Sequence, residues 1–154
     1  MNYLTHQILN FEELEILRSN LDRKEVFWED GKLTAGKHAA ELKNNLQLKR
    51  DSNLSKKYSG LIIKKILSNE LIKSFALPKK IHGTIFTKST KGMKYGKHID
   101  NAYMSSGRAD LSFTIFLNPK NKYEGGALSI INLNSEEKFK LNAGEIIIYP
   151  STYL

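Results

Sequence analysis

His98 and Asp100 stand two residues apart in the stretch Lys94-Tyr95-Gly96-Lys97-His98-Ile99-Asp100-Asn101, which reads as extended chain. Successive side chains of a strand alternate between faces, so the imidazole and the carboxylate point the same way and can grip one metal ion. Such a pair is two legs of a 2-His-1-carboxylate facial triad, which leaves positions open on a non-haem Fe(II). The third leg is expected to be a later histidine, and no histidine follows residue 98. From the numbers of His and Asp in the chain, some His-x-Asp arises by accident about once in eight such sequences, so the triplet needs its context.

The elements around the motif change character midway. Asn10 to Glu13 forms a capping-box pattern opening a helix whose apolar face uses Phe11, Leu14, Ile16, Leu17 and Leu21. A turn at Trp28-Glu29-Asp30-Gly31, helical patterns over residues 39–48 and 55–68, and a short one over 71–75 ending near Pro78 follow. From Ile81 the period becomes two, giving candidate strands at 81–87, 95–99, 110–117, 127–131, 138–141 and 145–149. Helices first and strands later predict an α+β protein that is mainly β. Six short strands at hairpin spacing suggest a jelly roll or barrel. The chain is expected to be one domain, with residues 1–78 as helical support and 79–154 as the strand-built core. The 145–149 pattern has only five residues after it, so the sheet is expected to be incomplete at its C-terminal end.

Composition excludes several classes. There is no cysteine, hence no disulfide framework, zinc ribbon or thiol nucleophile, and any metal must be held by His, Asp, Glu or water. Residues 1–20 lack a basic segment followed by an apolar core, and no run of about 18 apolar residues occurs. The expectation is a soluble, cytoplasmic protein with no membrane partner. The net charge of +8 invites a nucleic-acid reading, yet only four of 24 basic residues are arginine. Residues 76–100 carry six lysines against one acid, an excess just ahead of the His-x-Asp that could steer an anionic substrate or bind polyanion. The cluster Lys79, Lys80, Lys88, Lys91, Lys94 and Lys97 lacks interleaved arginines and ordered aromatics, which argues against nucleic acid.

Gly92, Tyr95, His98 and Asp100 form Gly-x-x-Tyr-x-x-His-x-Asp, followed by Arg108 to Asn118, Tyr123-Glu124-Gly125-Gly126-Ala127-Leu128, Ala143-Gly144-Glu145 and Tyr149-Pro150-Ser151. In that order the series resembles the Fe(II)/2-oxoglutarate-dependent dioxygenases, in their prolyl-4-hydroxylase-like branch and closest to the bacterial PKHD-type hydroxylases. The resemblance covers roughly residues 80–154. It implies a double-stranded β-helix carried by N-terminal helices, with Fe(II) held by His98 and Asp100. It also implies oxidative decarboxylation of 2-oxoglutarate coupled to hydroxylation of a small-molecule or peptidyl substrate, with ascorbate open as an accessory reductant.

Tyr95, three residues before His98, falls on the opposite strand face unless a bulge intervenes, so support of the ligand and simple packing both stand. Arg108 matches an arginine that faces substrate in relatives, against the alternative of a surface arginine. Positions where many members carry cosubstrate-binding tyrosines hold approximately Ser89 and Phe116. In the family a third-ligand histidine and a carboxylate-binding arginine or lysine come after the Pro-Ser, beyond Leu154. The chain is therefore expected to be a C-terminally truncated hydroxylase, inactive in this form, whose unfinished sheet edge invites a homodimer. His82 is the nearest internal substitute, but a lone strand histidine is more often structural. His6, His38, Glu124 and Glu145 are not favoured as ligands. The rival reading is a non-catalytic jelly-roll module that binds an anionic ligand through the lysine cluster.

Overall fold

The computed structural model describes residues 3–154, apart from the side chains of Lys37 and His38; His38, grouped above with the helical half, lies outside the described side chains. Strand β1 (Leu4–Gln7) enters helix α1 (Phe11–Leu21) through the expected capping box. The Asn10 side chain accepts from the Glu13 N–H, and the Glu13 carboxylate accepts from the Asn10 N–H, both at 2.9 Å. Two of the helix's orphan donors are thereby satisfied. Its buried face is Leu14, Leu17 and Leu21, whereas Phe11 and Ile16, expected on that face, point to solvent.

Chain order continues with β2 (Trp28–Asp30), a 3-10 turn (Gly31–Thr34), α2 (Lys37–Leu42), β3 (Lys43–Asn44) and β4 (Leu46–Leu48). The helix expected over 39–48 thus stops at Leu42. Beyond it Lys43, Asn45 and Gln47 alternate inward and are buried, so the segment is a strand whose inward stripe is polar. Helix α3 (Asn53–Ser68), capped by Ser52, buries Ser55, Tyr58, Ile62 and Ile66 at helical spacing. Asn69 ends it and caps α4 (Glu70–Ala76), which closes at Leu77 in a left-handed conformation just before Pro78.

The second half supplies β5 (Thr87–Lys88), β6 (Lys94–Tyr95), β7 (Tyr103–Met104), β8 (Gly107–Arg108), β9 (Leu111–Ile115), β10 (Leu128–Ile131), β11 (Glu136–Phe139) and β12 (Glu145–Pro150). The strand expected over 81–87 is ladder-paired only from Thr87, and the one over 95–99 only at Lys94–Tyr95. The main sheet has the order β1-β12-β9, all antiparallel, with Leu4 opposite Ile148 and Ile146 opposite Ile115. Smaller sheets are β2-β4-β5, β3-β6, β7-β8 and β10-β11. The first 78 residues, expected as helical support, therefore also contribute four strands, three of which pair with strands of the second half.

β12 is the central strand of the main sheet, because β1 returns to pair with it. Ile146 and Ile148 pack into a cluster with Leu9, Leu14, Leu17, Ile62, Ile66 and Ile72. Ile147 packs on the other side with Phe116 and Ile130. Alternation within one strand thus separates a helix-backed layer from the layer covered by β10-β11. Fully burying three isoleucines stabilises the fold by roughly 2 kcal/mol each. No helix among the described residues is long and apolar enough to cross a membrane.

Helices α1 and α3 are also tied by Lys65 Nζ to Glu13 Oε1 at 2.6 Å, with both side chains about three-quarters buried. Partial burial pushes the Glu13 carboxyl up, but the Lys65 ammonium and the Asn10 N–H outweigh it and hold it below its ordinary 4.5. A depressed carboxylate stabilises the fold above the unfolded value and loses that contribution as pH falls through the folded value. Glu13→Gln keeps the capping hydrogen bond and removes the charge. It is expected to cost about 1 kcal/mol at pH 7, read from urea midpoints. The difference from wild type should vanish once pH falls well below 4.5; a pH-independent difference would contradict the ion-pair assignment.

Candidate metal centre

β6 ends at Tyr95 because its partner runs out: the next residue opposite Gly96 is Leu42, the end of α2, whose carbonyl takes the Gly96 N–H at 2.8 Å. The chain then leaves the ladder, so His98 and Asp100 lie in irregular extended chain rather than in the expected strand. The two-residue spacing still brings them together, with His98 Nε2 3.3 Å from Asp100 Oδ1. His98 Nδ1 donates to the Gly96 carbonyl at 2.8 Å. A carbonyl only accepts, so the proton is fixed on Nδ1 and the Nε2 lone pair is aimed at the space shared with the carboxylate.

That donor set fits a divalent transition metal. A neutral imidazole nitrogen and a carboxylate oxygen suit Fe(II) or Mn(II), and two ligands at right angles with bonds of about 2.1 Å stand about 3 Å apart. Without a cation the Nε2 lone pair and Oδ1 would face each other unshielded. Hydrogen bonding to Asp100 therefore raises the His98 pKa, against the opposing effect of burial. Burial pushes the Asp100 carboxyl up, but His98 and the polar influence of the Ser112 and Tyr149 hydroxyls outweigh it and leave it depressed.

Sequence reasoning passed over those hydroxyls. Ser112 on β9 sits opposite Tyr149 on β12, and the Ser112 and Ser151 hydroxyls are 3.0 Å apart. Burial, with the Asp100 charge behind it, pushes the Tyr149 phenol up to about 12, so it stays a donor at neutral pH. The signal was present in Leu111-Ser112-Phe113-Thr114-Ile115, where the apolar positions pack on the helix-backed cluster and the hydroxyls take the other face. Lys43 was also missed. It is buried, its ammonium lies 5.0 Å from the Tyr95 ring centroid, and burial lowers its pKa against the pull of Asp30 and Asp100.

Tyr95 lies directly on His98: its ring stacks on the imidazole at 3.7 Å and 15°. Of the two readings left open for Arg108, facing substrate or lying on the surface, its position is compatible with either. It is 68% exposed in an ion pair with Asp110, with Nε at 2.9 Å and Nη2 at 2.5 Å from Oδ1. Nothing joins it to the His98–Asp100 pair. His82 bonds the Arg108 carbonyl through Nε2 and meets the Ser106 hydroxyl through Nδ1, a structural role. His6 meets the Asn69 amide, and Glu145 accepts from the Asn142 N–H. Among the described residues no third His, Cys, Asp or Glu joins the pair. Ser89 lies exposed, and Phe116 is buried beside Ile130 and Ile147.

The structure thus sets an imidazole–carboxylate pair beside antiparallel sheets backed by helices. A family model described as the 2OG-Fe(II) oxygenase superfamily matches residues 84–154. A PKHD-type hydroxylase of Prochlorococcus marinus strain MIT 9215 is 72% identical over 154 residues, all of this chain and 70% of the relative. Another from strain MIT 9312 is 68% identical over the same shares. A Pseudomonas putida prolyl-4-hydroxylase crystal structure shares the fold, with TM-score 0.67 at 15% identity over 99% of this chain and 85% of that one. The chain belongs to the 2OG-Fe(II) oxygenase superfamily, as a PKHD-type hydroxylase homologue. It is accordingly a dioxygenase with Fe(II) as cofactor and 2-oxoglutarate as cosubstrate.

Proposed function

We propose that His98 Nε2 and Asp100 Oδ1 hold the iron of a hydroxylase built on a single-domain double-stranded β-helix. The observation that carries this is the Nδ1 hydrogen bond to Gly96 together with the 3.3 Å approach of Nε2 to Oδ1. When bound, Fe(II) with 2-oxoglutarate supplies the oxidative chemistry that hydroxylates a small-molecule or peptidyl substrate.

The chain's own residues do the rest. Gly96 fixes the imidazole tautomer, and Tyr95 fixes the ring plane. Ser112 and Tyr149 steady Asp100, and the Phe116–Ile130–Ile147 cluster keeps water from the inner side of β12. Among the described residues His98 and Asp100 are the two side chains that would hold the iron. A homodimer through a sheet edge would use β1 or β9, since β12 is paired on both sides. A cytoplasmic setting suits a centre that must stay ferrous.

The test is thermal unfolding with Mn(II) and 2-oxoglutarate. At tenfold excess over the dissociation constant the pair together should add about 1.4 kcal/mol, a rise of roughly 3–5 °C beyond either alone. The second reading, a non-catalytic module for an anionic ligand, is favoured by the six lysines Lys79, Lys80, Lys88, Lys91, Lys94 and Lys97, all exposed. It requires instead a metal-independent rise with heparin that disappears in high salt. That outcome, with no response to Mn(II), would overturn the iron-site reading.

A further inference from the structure

The inward stripe of β3–β4 is chemically out of place. Lys43, Asn45 and Gln47 point into the fold, with Lys43 4% and Gln47 0% exposed, where an ordinary strand would carry apolar residues. Burying an ammonium is costly unless it is held by partners. Lys43 Nζ has one in the Thr34 hydroxyl at 3.2 Å. Thr34 Oγ1 in turn donates to Gln47 Oε1 at 2.5 Å, and Gln47 Nε2 donates to Glu29 Oε1 at 3.0 Å. This chain of contacts leaves the ammonium over the face of the Tyr95 ring, whose centroid is 5.0 Å away, within the field of Asp30 and Asp100. The same ring carries the His98 imidazole stacked on it. Backbone register reinforces the arrangement, since Lys43 pairs with Tyr95 and Leu42 takes the Gly96 N–H.

We propose that Lys43 is a positioning residue for the metal centre: its buried ammonium, held by the Thr34–Gln47–Glu29 relay, fixes the Tyr95 ring, and that ring fixes the plane of His98. The inference rests on the reading of His98 as a ligand. A cation over an aromatic face is attracted to the ring's quadrupole, most strongly when desolvated, as Lys43 is. Restricting the ring restricts the imidazole that stacks on it. The Gly96 hydrogen bond sets which nitrogen is free, and the stack sets where that nitrogen points. Groups behind a metal ligand commonly change metal affinity by about 10–100-fold when removed.

The experiment compares wild type, Lys43→Met, Tyr95→Phe, Tyr95→Leu and the Lys43→Met/Tyr95→Leu double variant. Two readouts are taken: the His98 side-chain 15N and 1H resonances without metal, and Mn(II) affinity from the loss of the free-ion EPR signal. Lys43→Met should shift the His98 ring resonances and weaken Mn(II) binding about 10-fold. Tyr95→Phe, which keeps the ring, should match wild type. The double variant should be no worse than Tyr95→Leu alone, because the two residues act in series.

Unchanged His98 resonances and affinity in Lys43→Met would overturn the proposal, as would fully additive losses in the double variant. If Lys43→Met does not fold, Thr34→Val removes the ammonium's anchor at nearly constant volume, and the same two readouts decide. Failure of the underlying reading looks different: wild type and His98→Ala would then bind Mn(II) equally, while the metal-free resonances would still report whether Lys43 sets the ring.

Discussion

Asp100→Ala and His98→Ala are each expected to lower Mn(II) affinity by at least about 100-fold and to erase the added stabilisation by 2-oxoglutarate. The pair has no spare ligand among the described residues, so losing one member leaves a single donor. His82, His6 and Glu145 cannot move in, since each is engaged elsewhere by a hydrogen bond. The fold should survive the change. Ser112 keeps its partner in Ser151, and Asp100 is a partly exposed charge whose removal is expected to shift stability by about 1 kcal/mol or less. Titration calorimetry alongside urea unfolding separates the two effects. An Asp100→Ala protein that binds Mn(II) like wild type would remove this residue from the site.

Gly144→Ala is expected to be strongly destabilising. Gly144 adopts φ +87°, and a Cβ there would lie 2.5 Å from the Leu9 backbone oxygen and 3.0 Å from Leu14 Cδ1. Neither side can give way easily. The Gly144 carbonyl accepts from both Ile8 and Leu9 N–H, and its own N–H donates to the Phe116 carbonyl at 2.7 Å. One residue thus ties the β1–α1 junction, the end of β9 and the start of β12. Conformational strain and backbone collision together should cost about 3–5 kcal/mol, a large part of the roughly 5–15 kcal/mol a domain commands. Gly92→Ala is the control: it shares a positive φ of 85° but meets nothing within 4 Å, so strain alone should cost about 1 kcal/mol. Equal urea midpoints for the two variants would show that the packing at Gly144 is not limiting.

The juxtaposition of His98 and Asp100 was legible in the sequence because they are close enough along the chain that extended backbone brings them together. The capping box at Asn10 and Glu13 and the apolar strand at 145–149 were legible for a similar reason, being local patterns with local causes. What escaped depended on distant partners. β1 is a strand because β12 needs a second neighbour, which no property of Leu-Thr-His-Gln announces. The 43–48 segment was read as helix because its inward residues are Lys, Asn and Gln, invisible to a search for apolar alternation. They are acceptable inside only because Thr34, Glu29 and Tyr95 arrive from elsewhere to receive them. Tyr149 stood only as part of the 145–149 strand and the Tyr-Pro-Ser motif, and only the fold sets it opposite Ser112, where its hydroxyl helps depress the Asp100 carboxyl. The ion pair of Arg108 with Asp110 two residues on is a local contact that the motif alone did not announce.

The most direct test of the metal centre is paramagnetic broadening of the amide and side-chain NMR signals by substoichiometric Mn(II). Broadening should centre on His98 and Asp100, extend to Tyr95, Ser112 and Tyr149, and disappear in His98→Ala. Broadening that spares these residues and centres on another acidic surface, such as Glu136 and Glu137, would contradict the assignment of His98 and Asp100 as the iron ligands.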